Sequence, residues 1–184
     1  MKTMVCTTCC GRKVVGIFKS KCLICGGTGS LPDLELSPHF LLSEFVHSDI
    51  AMRKGIDNTP DKGQILNLVS VAQTLELVRA QFGGIHINSG YRSVKTNAAI
   101  GGSSKTSAHT LALAADFVPT NRKISLKEIT DWIIASNLIY DQVIYEKTWI
   151  HLGVKNSNGE TRKEKLMMFG NKYFIYDPTD PRVC

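Results

Sequence analysis

The amino-acid sequence predicts an α+β domain, with helices packed on a small antiparallel sheet, behind a short cysteine-rich segment. Helical patterns come first in the body of the chain and short alternating strand patterns follow them. That order is typical of α+β domains and not of doubly wound sheets. Two pairs of cysteines stand apart near the N-terminus, and residues 29–33 behind them have the composition of a linker. We therefore expect a segment over residues 1–30 and a second domain over residues 31–184.

The composition is that of a globular protein, since 43% of the 184 residues are hydrophobic and 21% are charged. Apolar runs such as 133–135 fall far below the ~18 residues that cross a membrane. The start of the chain has no apolar stretch of signal-peptide length, which predicts synthesis in the cytoplasm. A formal charge of +6 suits a polyanionic partner, such as nucleic acid or an anionic bacterial wall, or reflects only a solvated basic surface.

The N-terminal segment carries two C-x-x-C pairs. They are formed by Cys6, Cys9, Cys22 and Cys25. Four thiolates at these spacings complete a tetrahedral shell around one zinc ion, so we predict a small zinc ribbon that owes most of its folding to the metal. A redox pair or a disulfide is the alternative, which a reducing cytosol disfavours. Cys10 is an odd thiol that could replace one of the ligands, and Cys184 is interpreted as a spare thiol.

The same segment is basic, with five cations and no acidic residue. The cations are Lys2, Arg12, Lys13, Lys19 and Lys21. Four metal-bound thiolates would lower its net charge to about +3. Because Phe18 is its one aromatic side chain, base stacking has little support and we expect no nucleic-acid partner. Residues 22–29 resemble half of the cysteine-rich repeat of DnaJ-type chaperone zinc domains, which implies a structural zinc and no chaperone activity.

Periodicity and end signals locate the elements of the larger domain. Helices are predicted from Ser43 over a short run to Met52, from Pro60 or Asp61 to Gly83, and over 125–136. Ser125 and Glu128 resemble a capping box for the last of these. Strands are predicted over 85–88, 141–146, 149–154, 165–169 and 173–176. No G-x-x-x-x-G-K phosphate loop and no G-x-S-x-G nucleophile elbow is present in the sequence.

A second group of side chains points to metal chemistry. The small apolar run 111–115 separates His109 from Asp116 and suits a buried strand that returns Asp116 to the loop carrying His109. His151 alternates with three aliphatic residues and therefore points away from their core. Two histidines and a carboxylate are ligands that a catalytic zinc accepts while it keeps a fourth position open. A lone histidine is more often a surface or hydrogen-bonded residue, which is our interpretation of His39, His47 and His86.

The alternation of side chains along the predicted hairpin indicates a candidate general base. If Lys147 and Thr148 form a two-residue turn, Glu146 faces Trp149 and lies diagonally from His151 on one face, ~7–8 Å away. A carboxylate there can take a proton from water that zinc has acidified. Lys-Thr is a poor pair for such a turn, so a longer loop is the alternative.

Residues 38–178 resemble the M15 family of zinc D-Ala-D-Ala carboxypeptidases and related phage peptidoglycan peptidases, closest to the short-domain subgroup that begins like F-L-L-S-E-F at 40–45. Three ordered motifs carry the resemblance: S-G-Y-R-S at 89–93 with Asn97, the S-x-H-x-x-G-x-A-x-D signature over 107–116, and W-I-H at 149–151. The resemblance implies the hedgehog-like fold of these peptidases.

The resemblance also implies roles for particular residues. His109, Asp116 and His151 would be the ligands of the catalytic zinc. Arg92 would bind a substrate carboxylate or steady the oxyanion, which an always-charged guanidinium suits. Ser107 would contact the substrate or orient the site.

Two positions depart from the family pattern. Ala112 replaces the signature glycine on the predicted strand. Thr148 occupies the place where many relatives keep a catalytic acid. Glu146 is the nearest carboxylate and is our candidate, with Asp141 as a weaker substitute.

The leading expectation is a zinc peptidase that cuts peptide bonds of bacterial peptidoglycan and carries one catalytic and one structural zinc. Synthesis without a signal peptide suits a phage endolysin released at lysis or a virion-associated lysin beside virion proteins. The alternative is a non-catalytic module of the same fold that binds wall material or builds a particle, since no acid stands at position 148.

Overall fold

The computed structural model describes residues 3–16, 19–101, 104 and 106–183. Lys2, Phe18 and Cys184, which entered the sequence argument, lie outside these ranges. Six short strands come first along the chain: β1 (Thr3–Val5), β2 (Val14–Val15), β3 (Ser20–Lys21), β4 (Ser30–Pro32), β5 (Glu35–Ser37) and β6 (Phe40–Leu41). They form three antiparallel pairs, β1 with β4, β2 with β3 and β5 with β6.

The helices lie farther along the chain, interleaved with the strands of the main sheet, and capping residues in the sequence set the ends of several of them. They are α1 (Leu42–Val46), α2 (Asp49–Lys54), α3 (Lys62–Phe82), α4 (Val94–Ala99), a 3₁₀ helix (Ala108–Leu111) and α5 (Leu126–Ala135). Asp61 and Gln64 form a capping box at the start of α3, and Gly83 ends it with a positive φ of 80°. Ser125 and Glu128 cap α5 in the same way, as the sequence predicts.

A six-stranded sheet forms the centre of the domain. Its strands are β7 (Ile85–Ser89), β8 (Ala114–Pro119), β9 (Gln142–Tyr145), β10 (Ile150–Gly153), β11 (Glu164–Phe169) and β12 (Lys172–Ile175). The spatial order is β12-β11-β9-β10-β8-β7. Helices with a six-stranded sheet confirm the α+β class. The Gly170-Asn171 turn joins β11 to β12, and both residues have the positive φ that tight hairpin turns require.

The sheet is mixed, whereas the sequence led us to expect antiparallel pairing throughout. β9 and β11 are parallel, with Leu166 opposite Ile144, and the other pairs of the sheet are antiparallel. The reason is that β10 already pairs with β8 on one side and β9 on the other. The chain that leaves β10 therefore joins the free edge of β9, where β11 runs in the direction of β9.

Two predicted elements differ from the structure. The helix expected over 43–52 is broken, because Ser48 caps a second helix through its hydroxyl, which accepts from the Ala51 amide at 3.3 Å. The strand expected over 111–115 begins later, at Ala114. Residues before it form the 3₁₀ helix, which ends at Ala112 with a left-handed φ of 59°.

The hydrophobic core lies between the sheet and two helices. Helix α3 contributes Leu68, Ala72 and Leu75, and α5 contributes Ile129 and Ile133, all fully buried. Phe82 of α3 and Trp132 of α5 meet edge to face with ring centroids 5.6 Å apart. Among the described residues, no helix has the combination of length and apolar character that crossing a bilayer requires.

Candidate metal centre

Three elements bring His109, Asp116 and His151 together. Asp116 of β8 and His151 of β10 are directly opposite in the antiparallel register. His109 lies in the 3₁₀ helix, and the tight turn at Ala112 brings the chain from that helix into β8. The sequence therefore correctly anticipated that His109 and Asp116 lie close together, although a turn and not a strand brings this about.

The three side chains converge through one atom each. Asp116 Oδ1 lies 2.8 Å from His151 Nδ1 and 3.1 Å from His109 Nε2. The two histidine nitrogens are 3.2 Å apart. Ligands ~2.0–2.1 Å from a tetrahedral zinc are separated by about 3.3 Å, so these distances suit a metal ion. His109 and His151 are buried and the Asp116 side chain is 13% exposed, so the group is shielded from bulk water.

The hydrogen bonding of His109 makes this set of side chains suitable for a cation. Its Nδ1 donates to the Gly90 carbonyl oxygen at 2.6 Å, since a carbonyl can only accept. Burial lowers the pKa of His109, so the ring is neutral and Nε2 presents a lone pair. That lone pair faces Asp116, whose pKa is lowered by His109 and His151 despite the opposing effect of burial. A lone pair and a carboxylate repel at this distance, and a divalent cation between them removes the repulsion.

The S-G-Y-R-S motif forms a loop that holds both the histidine and Arg92. The Tyr91 amide donates to the Phe45 carbonyl at 2.7 Å, and the Arg92 amide donates to the His109 carbonyl at 3.1 Å. A Cβ at Gly90 would lie 2.5 Å from the Phe45 carbonyl oxygen, so only glycine allows this close approach. The loop is thereby packed between α1 and the 3₁₀ helix.

The guanidinium of Arg92 lies largely buried beside the carboxylates. Burial lowers its pKa, while the charges of Asp116 and Glu146 oppose that shift. Within the described part of the chain, its buried Nε atom has no hydrogen-bond partner. A buried donor without a partner is costly, and an anionic ligand would satisfy it.

The hairpin between β9 and β10 has the two-residue turn that we considered. Tyr145 is opposite Ile150, and the Glu146 amide donates to the Trp149 carbonyl at 3.0 Å. Lys147 takes a left-handed φ of 63°, which allows a turn that its residue type does not favour. Glu146 thus lies two residues beyond Ile144, whose register partner is His151, and on the same face of the sheet.

The electrostatics of Glu146 also connect it to this centre. Its pKa is raised, first by burial and then by the negative charge of Asp116, while His151 and Arg92 act in the opposite direction. A half-buried carboxylate of raised pKa close to a metal-ligand group is typical of a proton-transfer site. Thr148 is exposed in the turn of the hairpin.

The other acid that we considered, Asp141, is engaged elsewhere. Arg162 donates to its two oxygens from Nε at 2.8 Å and from Nη2 at 2.6 Å. Burial alone would raise the pKa of Asp141, but the bonds from Arg162 outweigh burial and lower it. An ionised carboxylate held in this way is a structural group, so Asp141 is a poor substitute for Glu146.

Ser107 and the remaining histidines have simpler surroundings. Ser107 precedes the 3₁₀ helix, and its carbonyl accepts from Thr110 while its side chain makes no capping hydrogen bond. His39 pairs with Glu76 and His47 with Asp49, all away from the centre. His86 is exposed on β7.

The four paired cysteines converge on a second point. Cys6 Sγ and Cys22 Sγ are 3.9 Å apart, and Cys9 Sγ and Cys25 Sγ are 3.8 Å apart. These distances exceed a disulfide bond and match the ~3.8 Å edge of a tetrahedron with zinc–sulfur bonds of ~2.3 Å. All four side chains are buried, and the Gly29 amide donates to Cys25 Sγ at 3.3 Å. Such a bond is a usual partner of metal thiolates.

Cys10 does not join this cluster, although the sequence left that role open. Its Sγ lies 3.8 Å from the Ile56 carbonyl and 4.0 Å from the Ala51 carbonyl. Among the described residues, the groups that could hold a metal ion are the four cysteines and the triad of His109, Asp116 and His151.

An α+β domain with two histidines and one aspartate around a cation-sized gap, and a carboxylate and a guanidinium beside them, has the features of a metallopeptidase. The sequence comparison agrees with this class. The family model for peptidase M15 matches residues 38–153, which is more than half of the chain, and the chain therefore belongs to that family. It is accordingly a peptidase of a metallopeptidase family. No curated protein and no solved structure matches the chain.

The site contains two residues that the sequence did not reveal. Asn58 is buried behind the Arg92 loop, and nothing in its sequence context, Asn-Thr-Pro, distinguishes it from an ordinary loop residue. Tyr173 is 58% exposed on β12, and its pKa is raised first by the partial burial of its side chain and then by the negative charges of Glu146 and Asp116. Its register partner Met168 lies on the same face of the sheet as Leu166, which is paired with Ile144. An exposed aromatic residue on the terminal hairpin was the available signal.

Proposed function

We propose that the protein is a zinc-dependent peptidase that hydrolyses peptide bonds in bacterial peptidoglycan, as a phage endolysin or a virion-associated lysin. His109 Nε2, His151 Nδ1 and Asp116 Oδ1 are the zinc ligands in this proposal. The observation that carries it is their convergence within 3.2 Å while His109 donates from its other nitrogen to Gly90. Membership of the peptidase M15 family supports the same assignment.

Zinc bound to these ligands would supply Lewis-acid chemistry, polarising a peptide carbonyl and lowering the pKa of water. Glu146 takes the proton from the attacking water at a carboxylate oxygen and later delivers it to the leaving amine. Its raised pKa suits both steps, because burial makes this carboxylate easier to protonate than a free glutamate.

Arg92 binds the substrate in this mechanism. Its buried Nε donor, which has no partner among the described residues, is available to a peptide carboxylate or to the developing oxyanion. Ser107 is the second substrate contact that we propose, since its hydroxyl makes no capping bond in the adjacent helix. The net charge of +6 favours association with an anionic wall.

We also propose that Cys6, Cys9, Cys22 and Cys25 bind a structural zinc in a segment that ends near residue 30, with the peptidase domain behind it. The sulfur separations of 3.8 and 3.9 Å support this assignment. A segment whose buried residues are mainly these cysteines has little apolar surface to stabilise it without the metal.

The direct test is hydrolysis of purified peptidoglycan by the zinc-loaded protein, with released amines as the measurement. The wild type should release amines, and His109→Ala and Glu146→Gln should each reduce the rate by at least about a hundredfold. Glu164→Gln, on the neighbouring strand, is the matched control and should retain activity. If the wild type releases no amines but still sediments with peptidoglycan, the protein is a non-catalytic wall-binding module.

A further inference from the structure

The tip of the four-cysteine segment touches one loop of the peptidase domain. Thr7 and Thr8, the two residues between Cys6 and Cys9, both direct their hydroxyls at the hydroxyl of Thr59. The Thr8 and Thr59 oxygens are 3.2 Å apart, and Thr7 is closer still. Thr59 donates its own hydroxyl to Asp57 Oδ1 at 2.6 Å, so it accepts from the two threonines of the segment.

Two further side chains of the segment cover the same loop. Arg12 lies directly over Gly55, where a Cβ would come within 2.6 Å of its Nη2 atom. Cys10 Sγ lies 3.8 Å from the Ile56 carbonyl. Beside these contacts is a cavity of about 240 Å³, lined by apolar residues such as Met52 and Val46. The segment is thus docked on this loop by polar contacts, and Met4 of β1 also packs into the main hydrophobic core.

The loop that receives the segment also holds Arg92. Asn58, next to Thr59, is 2% exposed. Its amide nitrogen donates to the Tyr91 carbonyl at 3.2 Å and to the Val46 carbonyl at 2.9 Å, and its oxygen accepts from the Ser93 amide at 2.7 Å. The residues on both sides of Arg92 are thus tied to a loop whose outer surface is covered by the cysteine segment.

We propose that the four-cysteine segment, folded around its metal ion, positions Arg92 for substrate through Thr59 and Asn58. Removal of the metal unfolds the tip that carries Thr7 and Thr8, the loop 55–59 loosens, and Asn58 no longer holds the backbone around Arg92. Because Asp116, His151 and Glu146 lie on or beside strands β8, β9 and β10, outside this loop, substrate binding weakens more than the chemical step does. This inference rests on the proposed role of Arg92 in binding substrate.

The test uses the full chain with Thr59→Val, which removes the hydroxyl at nearly constant volume, and Asn58→Ala. Thr179→Val is the matched control, since Thr179 hydrogen-bonds to Asp177 as Thr59 does to Asp57 but, in the described part of the chain, makes no hydrogen bond to the cysteine segment. The measurements are metal content, hydrogen exchange of the Ser93 amide, and KM and kcat on peptidoglycan peptides.

We expect both loop variants to keep their metal and to exchange the Ser93 amide faster. We also expect KM to rise roughly fivefold to tenfold, the effect of losing about one hydrogen bond, with kcat within twofold of wild type. Cys22→Ser, which loses the segment's metal, should show the same changes. Unchanged exchange at Ser93 in Thr59→Val and Cys22→Ser would overturn the coupling. Faster exchange with an unchanged KM would overturn the role in substrate binding.

Exchange at Ser93 is measured without substrate, so it tests the coupling even if the wild type proves to have no peptidase activity. Failure of the proposed function is therefore distinguishable from failure of this inference. A fall in kcat with unchanged KM in Thr59→Val would also contradict a positioning role for the segment.

Discussion

His109 donates from Nδ1 to the Gly90 carbonyl, and this one bond determines which nitrogen of the ring faces Asp116 and His151. The same glycine allows the loop to approach Phe45, so the position of the loop and the orientation of the histidine depend on each other. A second partner of this kind fixes ring orientation and strengthens a histidine as a metal ligand.

The two metal clusters lead to a stoichiometry prediction. Wild-type protein purified with zinc should contain two ions per chain, and His109→Ala and Cys22→Ser should each contain one, because the clusters share no ligand. Mass spectrometry of the native protein or elemental analysis measures this. His86→Ala, an exposed histidine on β7, is the control and should keep both ions. A wild type with one zinc that His109→Ala retains would contradict the catalytic metal site.

The pH dependence of activity should report Glu146. Burial and Asp116 raise its pKa above the ordinary glutamate value, and the reaction requires the ionised base. The rate should therefore fall as pH decreases, with a midpoint above the ~4.3 of a free glutamate. The profile of kcat/KM on soluble peptides gives this midpoint. If the residual activity of Glu146→Gln falls at low pH with the same midpoint, the titrating group is another residue.

The same shift has a consequence for the stability of the metal-free protein. Because the folded-state pKa of Glu146 is raised, ionisation opposes folding, and stability is lost as pH rises through the unfolded and then the folded pKa. Glu146→Gln should therefore raise the melting temperature of metal-free protein at pH ~7 and leave it unchanged below about pH 4. Glu35→Gln, an exposed carboxylate on β5, is the control for the loss of one charge.

Ala112 should tolerate glycine but not a β-branched residue. Its left-handed φ of 59° costs an alanine ~1 kcal/mol. Replacement by glycine removes that strain but loses a buried methyl group worth ~0.8 kcal/mol and adds backbone entropy to the unfolded chain. Ala112→Gly should thus change the free energy of unfolding by less than about 1 kcal/mol, while Ala112→Val should lose about 2 kcal/mol or more.

The control for this series is Ala115→Gly on β8, which is equally buried but has no left-handed φ in the structure. This variant should lower the free energy of unfolding by about 1.5 kcal/mol, because it loses the methyl group and relieves no backbone strain. Urea denaturation measures all three variants. If Ala112→Gly is as destabilising as Ala115→Gly, the left-handed conformation at Ala112 carries no strain.

The ion pair of Asp141 and Arg162 should make the free energy of unfolding depend on pH in the acidic range. The bonds from Arg162 lower the pKa of Asp141 against the effect of burial, so the pair stabilises the fold above the unfolded pKa and is lost as pH falls through the folded one. Asp141→Asn should lower the free energy of unfolding at pH ~7 by about 2 kcal/mol. The value is no larger because Arg162 is half exposed and solvent screens part of its attraction to Asp141. The deficit should shrink as pH falls below the ordinary aspartate pKa of ~3.9, and activity at pH ~7 should remain if Asp141 is structural.

Much of the fold followed from local signals. The capping pairs at Asp61 and Ser125 gave the starts of α3 and α5, and alternation located most of the strands of the central sheet. These features depend on contacts between residues three or four apart, or on strict alternation, which a linear sequence displays directly. The parallel pairing of β9 with β11 did not follow, because the edge a strand joins depends on which edges are already occupied.

The sequence by itself determined the α+β class, the peptidase M15 motifs and the residues proposed as metal ligands and base, because these are matters of residue type and spacing. Only the tertiary structure decided that Ala112 lies in a left-handed turn and that Arg162 binds the carboxylate of Asp141. It also decided that Asn58 and Thr59 lie between Arg92 and the cysteine segment. Each of these depends on contacts between distant parts of the chain, for which no local pattern exists. The group of His109, Asp116 and His151 depends on both: the sequence supplies the residue types, and folding brings their side chains together.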